Sequence, residues 1–527
     1  MQNGGRIEKS ATNMVSGMLY RILTMLTAFI VRTVFIKCLN NAYLSVNGLY
    51  SSILSMLSLA ELGFSTAMVY SMYKPLAEKD YRKLSQVMRL YKRAYFIIGS
   101  VILLAGLALV PFLDLIVKNK PDIDNLTFYY LLFLLNSVIS YWFFAYRSSI
   151  LQADQKSSVI SNYSSVFNLV KTVLQIIVLL VFKNFTVYLL TQMLCTVLLN
   201  IAIAIRVKKD YPIFNNSKEE LPTEEKKKIF KDVKALMMQK ISFRVLNTSD
   251  SIIISAFVGI GWVGLLSNYI MVEEAVVAVL SQITSAITAS MGNFFAKESK
   301  ESGYILFKRV QFMNLWLYGF SSIAFIVLLN PFVELWLGRI GNEYVLSQFI
   351  VVALVLRFFV EGYMNLMSAF RSTLGLFTQG QYFPLFVAVL NIFFSIGLSF
   401  PFGVAGVILA TPLARCCINV WYMPLVIHRY GFKKPVKPFY KDFAIQTAFI
   451  TALAIFMYTF SRMIVFKNGI TMVSFVIMVV IIAIVPNLII ALFFHKTDEF
   501  KYFKSIIQKI IENFLMLIRN HNKRKTD

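Results

Sequence analysis

Apolar residues run through this chain in long blocks of about twenty or more, separated by short polar segments. Each block is long enough to cross the hydrocarbon core of a bilayer as an α-helix. The blocks are continuously apolar rather than alternating, which argues against a β-barrel. The pattern predicts about fourteen spans: 14–36, 43–70, 94–117, 126–147, 158–182, 184–205, 236–257, 263–291, 310–333, 346–370, 382–400, 402–426, 443–464 and 470–494. The fold class expected is therefore an all-α polytopic membrane protein.

Composition agrees. Of 527 residues, 57% are hydrophobic and the mean hydropathy is +0.66, against roughly 45–50% apolar residues in soluble domains. The net charge of +25 would suggest nucleic acid in a soluble chain. Here the basic residues flank the spans and gather in alternate loops, so charge reads as topology and no nucleic-acid partner is expected. Lys74 to Arg93, Arg206 to Lys234, Lys297 to Arg309, Arg429 to Lys441 and the segment after Lys496 form one set of basic loops. The positive-inside rule puts these, and both termini, in the cytoplasm. The first ten residues, MQNGGRIEKS, are too polar for a cleaved signal peptide. Cys38, Cys195, Cys416 and Cys417 lack metal-type spacing and read as free thiols.

Two cytoplasmic segments have an apolar face and a basic face. Residues 499–518 align Phe503, Ile507, Ile510, Phe514 and Leu517, and the connector 81–93 aligns Leu84, Met88 and Tyr91. Both read as helices lying on an anionic leaflet. A polar, proline-bearing linker at 207–235 marks the border between two halves. FAYRSSILQADQ near residue 147 matches SAFRSTLGLFTQ near residue 371, and the stretch after 77 resembles the stretch after 296 at nearly the same offset. The repeat implies two six-helix lobes, 1–206 and 236–430, related by a pseudo-two-fold axis along the membrane normal. Two additional helices (431–494) and an amphipathic tail (495–527) follow.

Charges inside the spans are the candidate chemistry. A charged side chain at mid-bilayer costs about 2.5–3.5 kcal/mol on insertion scales, so it marks function or pairing. VLRFFVEGYMNL at 355–366 places Arg357 and Glu361 one turn apart, where they can pair along the helix. Arg32, Lys171, Arg244 and Arg415 are the other deep cations. Glu61, Asp250, Glu273 and Glu274 are the other intramembrane acids, candidates for coupling. One reading is a wet central cavity with a basic lining, suited to an anionic head group because guanidinium forks match phosphate oxygens. The other is a set of ion bridges joining helices. On the first reading, Arg357→Ala should impair transport more than folding.

No P-loop, HExxH or nucleophile elbow occurs, and no cofactor is expected. Transport is favoured over enzymology. His428, His495 and His521 all fall at cytoplasmic positions, which argues against a histidine proton relay.

VNGLYSSILSMLSLAELGFSTAMVYSMYKPLAEKD at 46–80 and NTSDSIIISAFVGIGWVGLLSNYIMV at 247–272 resemble the paired helices that open each lobe of O-antigen and capsule flippases. These form the polysaccharide transporter branch of the multidrug/oligosaccharidyl-lipid/polysaccharide (MOP) exporters. The resemblance implies alternating access and movement of undecaprenyl-diphosphate-linked oligosaccharide to the outer leaflet of a bacterial cytoplasmic membrane. It implies Arg32, Arg244 and Arg357 as diphosphate or sugar contacts, and a polysaccharide polymerase and glycosyltransferases as pathway partners. A lipid II or sporulation-type flippase and a cation-coupled drug exporter are the alternatives.

Overall fold

The computed structural model describes residues 2–61, 64–211, 220–505, 508 and 512, with side chains from Thr24 onward except at scattered helical positions. Among these residues there is no strand. Sixteen α-helices follow in order: α1 (Gln2–Leu57), α2 (Phe64–Ala77), α3 (Tyr81–Leu109), α4 (Leu113–Ile116), α5 (Leu126–Trp142), α6 (Ser148–Ala153), α7 (Ser157–Phe182), α8 (Phe185–Asp210), α9 (Thr223–Ile253), α10 (Gly261–Lys297), α11 (Lys300–Leu337), α12 (Gln348–Thr373), α13 (Phe383–Cys417), α14 (Asn419–Val426), α15 (Lys437–Phe460) and α16 (Met472–Phe494).

Among the described residues, eleven helices are long and apolar enough to cross a membrane, or twelve when α5 and the segment to Ala153, bent by 42°, count as one span. Two of the long helices contain a break. In α1 it falls at Asn40, with φ 63°. Asparagine tolerates this left-handed region better than most residues. Its side-chain oxygen accepts the Ala42 N–H at 2.9 Å, replacing a ladder bond lost at the break. In α13 the break is at Gly403, φ 55°, where the absence of a Cβ removes the penalty. The first break lies in the expected loop between spans 1 and 2, the second at the start of expected span 12.

Helix starts follow local chemistry. Asp80 caps α3 through the Lys83 N–H at 2.9 Å, and Asn184 caps α8 through the Val187 N–H at 3.2 Å. Thr471 and Ser474 bond reciprocally at the head of α16. Such caps are each worth about 1 kcal/mol.

The connector 81–93 corrects one expectation. It is the continuous start of α3, not a separate surface helix. Leu84, Met88 and Tyr91 are buried by protein rather than lipid, with Tyr91 stacked on Phe64 and edge-on to Tyr95. Periodicity fixes an apolar face but not what covers it. Of the expected tail, Ile507, Ile510, Phe514 and Leu517 lie outside the described residues, as do 212–219 of the linker.

The chain packs as two units, Met1–Ser267 and Asn268–Asp527, with the boundary inside α10. In the first, α7 packs on α8, α3 on α5, and α9 on α1 and α2. Helix α9 follows the linker expected to separate the halves, yet it is packed with the first unit. Glu220 ties the described end of that linker down: Lys226 bonds it at 2.7 Å and Arg93 bonds it too. Those hydrogen bonds, Lys226 first, hold its carboxyl down at about 2.

In the second unit α11 is the central helix, packed against α12, α15 and α16. Phe312, Leu315, Ile323 and Val327 meet Leu453, Met457, Ile482 and Phe494 in one apolar cluster. Trp316 donates its indole N–H to Asn487 at 2.7 Å. Arg371 closes the end of α12, donating to the carbonyls of Leu376, Phe377 and Gln379 at 2.7, 3.1 and 2.7 Å. Its counterpart in the sequence match, Arg147, donates to the Ala204 carbonyl at 3.2 Å.

Gly362 sets the approach of α12 to α11. A Cβ there would run into the ring of Tyr318, which is itself buried. Gly362→Ala should therefore lower stability by about 1–3 kcal/mol. Gly397→Ala, where a Cβ meets nothing within 4 Å, should leave it unchanged or raised. Thermal unfolding of the two variants in detergent checks the contrast.

Candidate functional site

The intramembrane charges are arranged differently in the two units. In the second unit, Arg357 on α12 donates through Nη2 to Glu273 Oε2 on α10 at 2.8 Å. The side chains are 14% and 9% exposed, so this is a buried, charge-assisted pair. Glu361, one turn along α12, is met by Arg415 of α13 at 3.5 Å. That distance makes an ion pair rather than a good hydrogen bond. The helical partner expected for Arg357, Glu361, is thus taken by Arg415, and Arg357 reaches across to a different helix. Glu361 and Glu274 both lie within electrostatic reach of Glu273, although Glu274 itself is exposed. Two arginines and two glutamates here form a near-neutral network joining three helices.

The first unit is built differently. Glu61 sits in the short 3₁₀ turn after α1. It accepts the Tyr95 hydroxyl at 2.8 Å on one oxygen and the Tyr141 hydroxyl at 2.7 Å on the other. Both tyrosines are buried, and Tyr91 adjoins Tyr95 at 3.4 Å. Phenol donors on both oxygens hold the carboxylate in place without cancelling its charge. Arg244 of α9 donates to Ser55 Oγ of α1 at 2.9 Å. Arg32 donates to Ser267 Oγ, also at 2.9 Å.

The residues around Ser267 are placed by α1. Asn41 and Ser45, one turn apart, both bond the Gly261 carbonyl, at 3.0 and 3.2 Å. Ser45 also accepts the Gly264 N–H at 3.2 Å. A Cβ at Gly264 would collide with Asn41 and Ser45, so glycine lets the start of α10 lie against α1. Ser267, one turn on from Gly264, is thereby brought to Arg32.

Of the remaining sequence candidates, Asp250 is buried on α9. Lys171 bonds Asn168 of its own helix at 3.1 Å. Tyr95, Tyr141, Ser55 and Ser267 were not singled out by sequence pattern. The tyrosines read as ordinary aromatic residues of apolar spans. Ser55 and Ser267 read as small packing residues.

Three solved structures have a similar arrangement of helices over most of this chain. A lipid II flippase MurJ in an inward closed conformation aligns at TM-score 0.68 and 14% identity, over 91% of this chain and 99% of that one. An inward-facing multidrug resistance MATE family transporter of the MOP superfamily aligns at 0.59 and 14%, over 82% and 98%. An outward-facing MATE family transporter of that superfamily aligns at 0.50 and 14%, over 82% and 94%. At these identities it is the fold that is shared: among the described residues, a multi-pass, all-helical membrane architecture. Residues 10–291, more than half of the chain, match the model of the family described as polysaccharide biosynthesis protein. The chain belongs to that family. No curated protein sequence matches it.

Proposed function

We propose that the protein is a flippase that carries undecaprenyl-diphosphate-linked oligosaccharide from the inner to the outer leaflet of a bacterial cytoplasmic membrane by alternating access, for surface polysaccharide synthesis. The lobes expected from the sequence, with both termini in the cytoplasm, are part of this reading. The observation that carries it is an intramembrane guanidinium, Arg244, that donates to the Ser55 hydroxyl at 2.9 Å. A phosphate oxygen can take the place of that neutral hydroxyl, and its geometry matches the guanidinium fork. Membership of the polysaccharide biosynthesis family supports a substrate of that pathway. The ion network of Arg357, Arg415, Glu273 and Glu361 would hold α10, α12 and α13 in register. Glu61 and Asp250 are the coupling candidates of the first unit.

The test is leaflet accessibility of a fluorescent lipid-linked oligosaccharide in proteoliposomes. Arg244→Ala should cut translocation by about tenfold or more, the loss of one strong charge-assisted contact of about 1.5–3 kcal/mol, at unchanged protein level. Equal rates for Arg244→Ala and the wild type would overturn the reading. A second reading, movement of lipid II, is favoured by the MurJ likeness. Growth of a strain depleted of its lipid II flippase, rescued by this chain, would select it.

A further inference from the structure

Arg89, Lys92, Arg93, Phe96 and Ile97 recur every three or four residues along α3 and so share one face. The opposite face, with Leu84, Met88, Tyr91 and Ile98, is buried in the first unit. The outward face therefore turns from cationic to apolar within one helical turn. From Ala94 to Leu113 the chain has no charged residue, so this change marks where the helix leaves water for hydrocarbon.

A second wall comes from the end of α5. Trp142 stacks on Phe96, ring centroids 5.3 Å apart and planes 20° from parallel. Its indole N–H donates to the Phe96 carbonyl at 3.2 Å. Gly99 makes the room: a Cβ there would sit 2.7 Å from the indole nitrogen. The 42° bend follows directly, and Tyr146 just beyond it also lines the space beside α3. Between the walls lies a groove of 440 Å³ with three basic side chains at its polar end and an aromatic floor at the other. Arg93 shares its charge with Glu220. Arg89 and Lys92 make up the rest of the cationic mouth.

We propose that this groove is a binding site for an anionic membrane phospholipid, its phosphate between Arg89, Lys92 and Arg93 and an acyl chain along Phe96, Ile97 and Trp142. The argument is one of complementarity in two parts. A free phosphate would use the cations and leave the apolar floor unused. A zwitterionic lipid would bring its own cation against three others. A phosphate joined to hydrocarbon, with net negative charge, satisfies both ends. One lining residue, Tyr141, also donates to Glu61, but the cations and Trp142 that would hold the lipid are distinct from Arg32, Arg244 and Glu61, and the proposal does not depend on what the protein translocates.

The test uses the full-length protein in phosphatidylcholine nanodiscs containing phosphatidylglycerol, with retained lipids identified by native mass spectrometry. The wild type should retain phosphatidylglycerol over phosphatidylcholine. Arg89→Gln with Lys92→Gln, which leaves the Arg93–Glu220 bond in place, should retain it less, by roughly fivefold for each cation removed. Trp142→Ala should also reduce retention, with the charges intact. Lys208→Gln with Lys209→Gln, an equal loss of charge at the end of α8, should change nothing. Three results would overturn the proposal. The α8 variant could lose as much lipid as the groove variant, which would mean diffuse surface attraction. The groove variant could retain phosphatidylglycerol fully. Or added undecaprenyl diphosphate could displace phosphatidylglycerol from the wild type, which would make the groove a substrate site.

Discussion

Arg357→Ala should destabilise the protein by about 3–5 kcal/mol, because it strands the Glu273 carboxylate in a buried site with its charge unmatched. The sequence alone gives a different expectation, a greater loss of transport than of folding. The 2.8 Å bond to a 9% exposed glutamate changes it. The two roles of Arg357 can be separated. Breaking a buried pair is costly, whereas replacing both members with apolar groups of similar volume is often neutral or stabilising. Arg357→Met combined with Glu273→Leu should therefore recover most of the thermal stability lost in Arg357→Ala. If Arg357 also contacts the head group, the double variant stays defective in the proteoliposome assay. Recovery of both stability and transport would make the pair a helix-joining bridge and nothing more.

Glu61→Ala should have the second largest effect. It removes the acceptor from two buried hydroxyls, Tyr95 and Tyr141. An unmatched buried donor costs about 1–3 kcal/mol, so the loss should be about 2–6 kcal/mol. Glu61→Gln keeps one carbonyl oxygen and should recover roughly half of it. Tyr95→Phe with Tyr141→Phe in the Glu61→Ala background should restore further stability, since the stranded donors are then gone. Chemical denaturation in mild detergent would read all of these. A Glu61→Ala variant as stable as the wild type would mean that the phenols find other partners.

That the chain is a succession of membrane-length apolar helices was legible because bilayer thickness imposes a length on apolar runs. The boundaries were less so, since expected spans 14–36 and 43–70 share a helix that ends at Leu57 and 382–400 and 402–426 share α13, and eleven or twelve candidates stand among the described residues where fourteen were expected. The charges were legible as exceptions to those runs, and every one of them was visible before its surroundings were known. What sequence could not supply was the partner. Along one helix, spacing measures distance, so Glu361 looked like the natural mate for Arg357. The true mates, Glu273 and Arg415, lie on other helices, and nothing in periodicity reports the distance between helices. Glu61 shows the same limit from the other side. Its tyrosines are aromatic residues in apolar spans, where a phenol gives no signal of its own until the fold brings a carboxylate to it. The start of α3 failed for a third reason: an apolar stripe looks alike whether protein or lipid covers it.

Gly362 and Tyr318 act like a key in a slot. With no clearance at that point, α12 cannot spin about its own axis without driving its backbone into a buried ring. Arg357 and Glu361, on the neighbouring turns, therefore hold a fixed bearing toward the rest of their unit. Any motion that carries these two charges must carry α11 as well, and with α11 the closing pair α15 and α16, which are packed against it. The last two spans are thus bound to the helices that carry the charges rather than a free appendage.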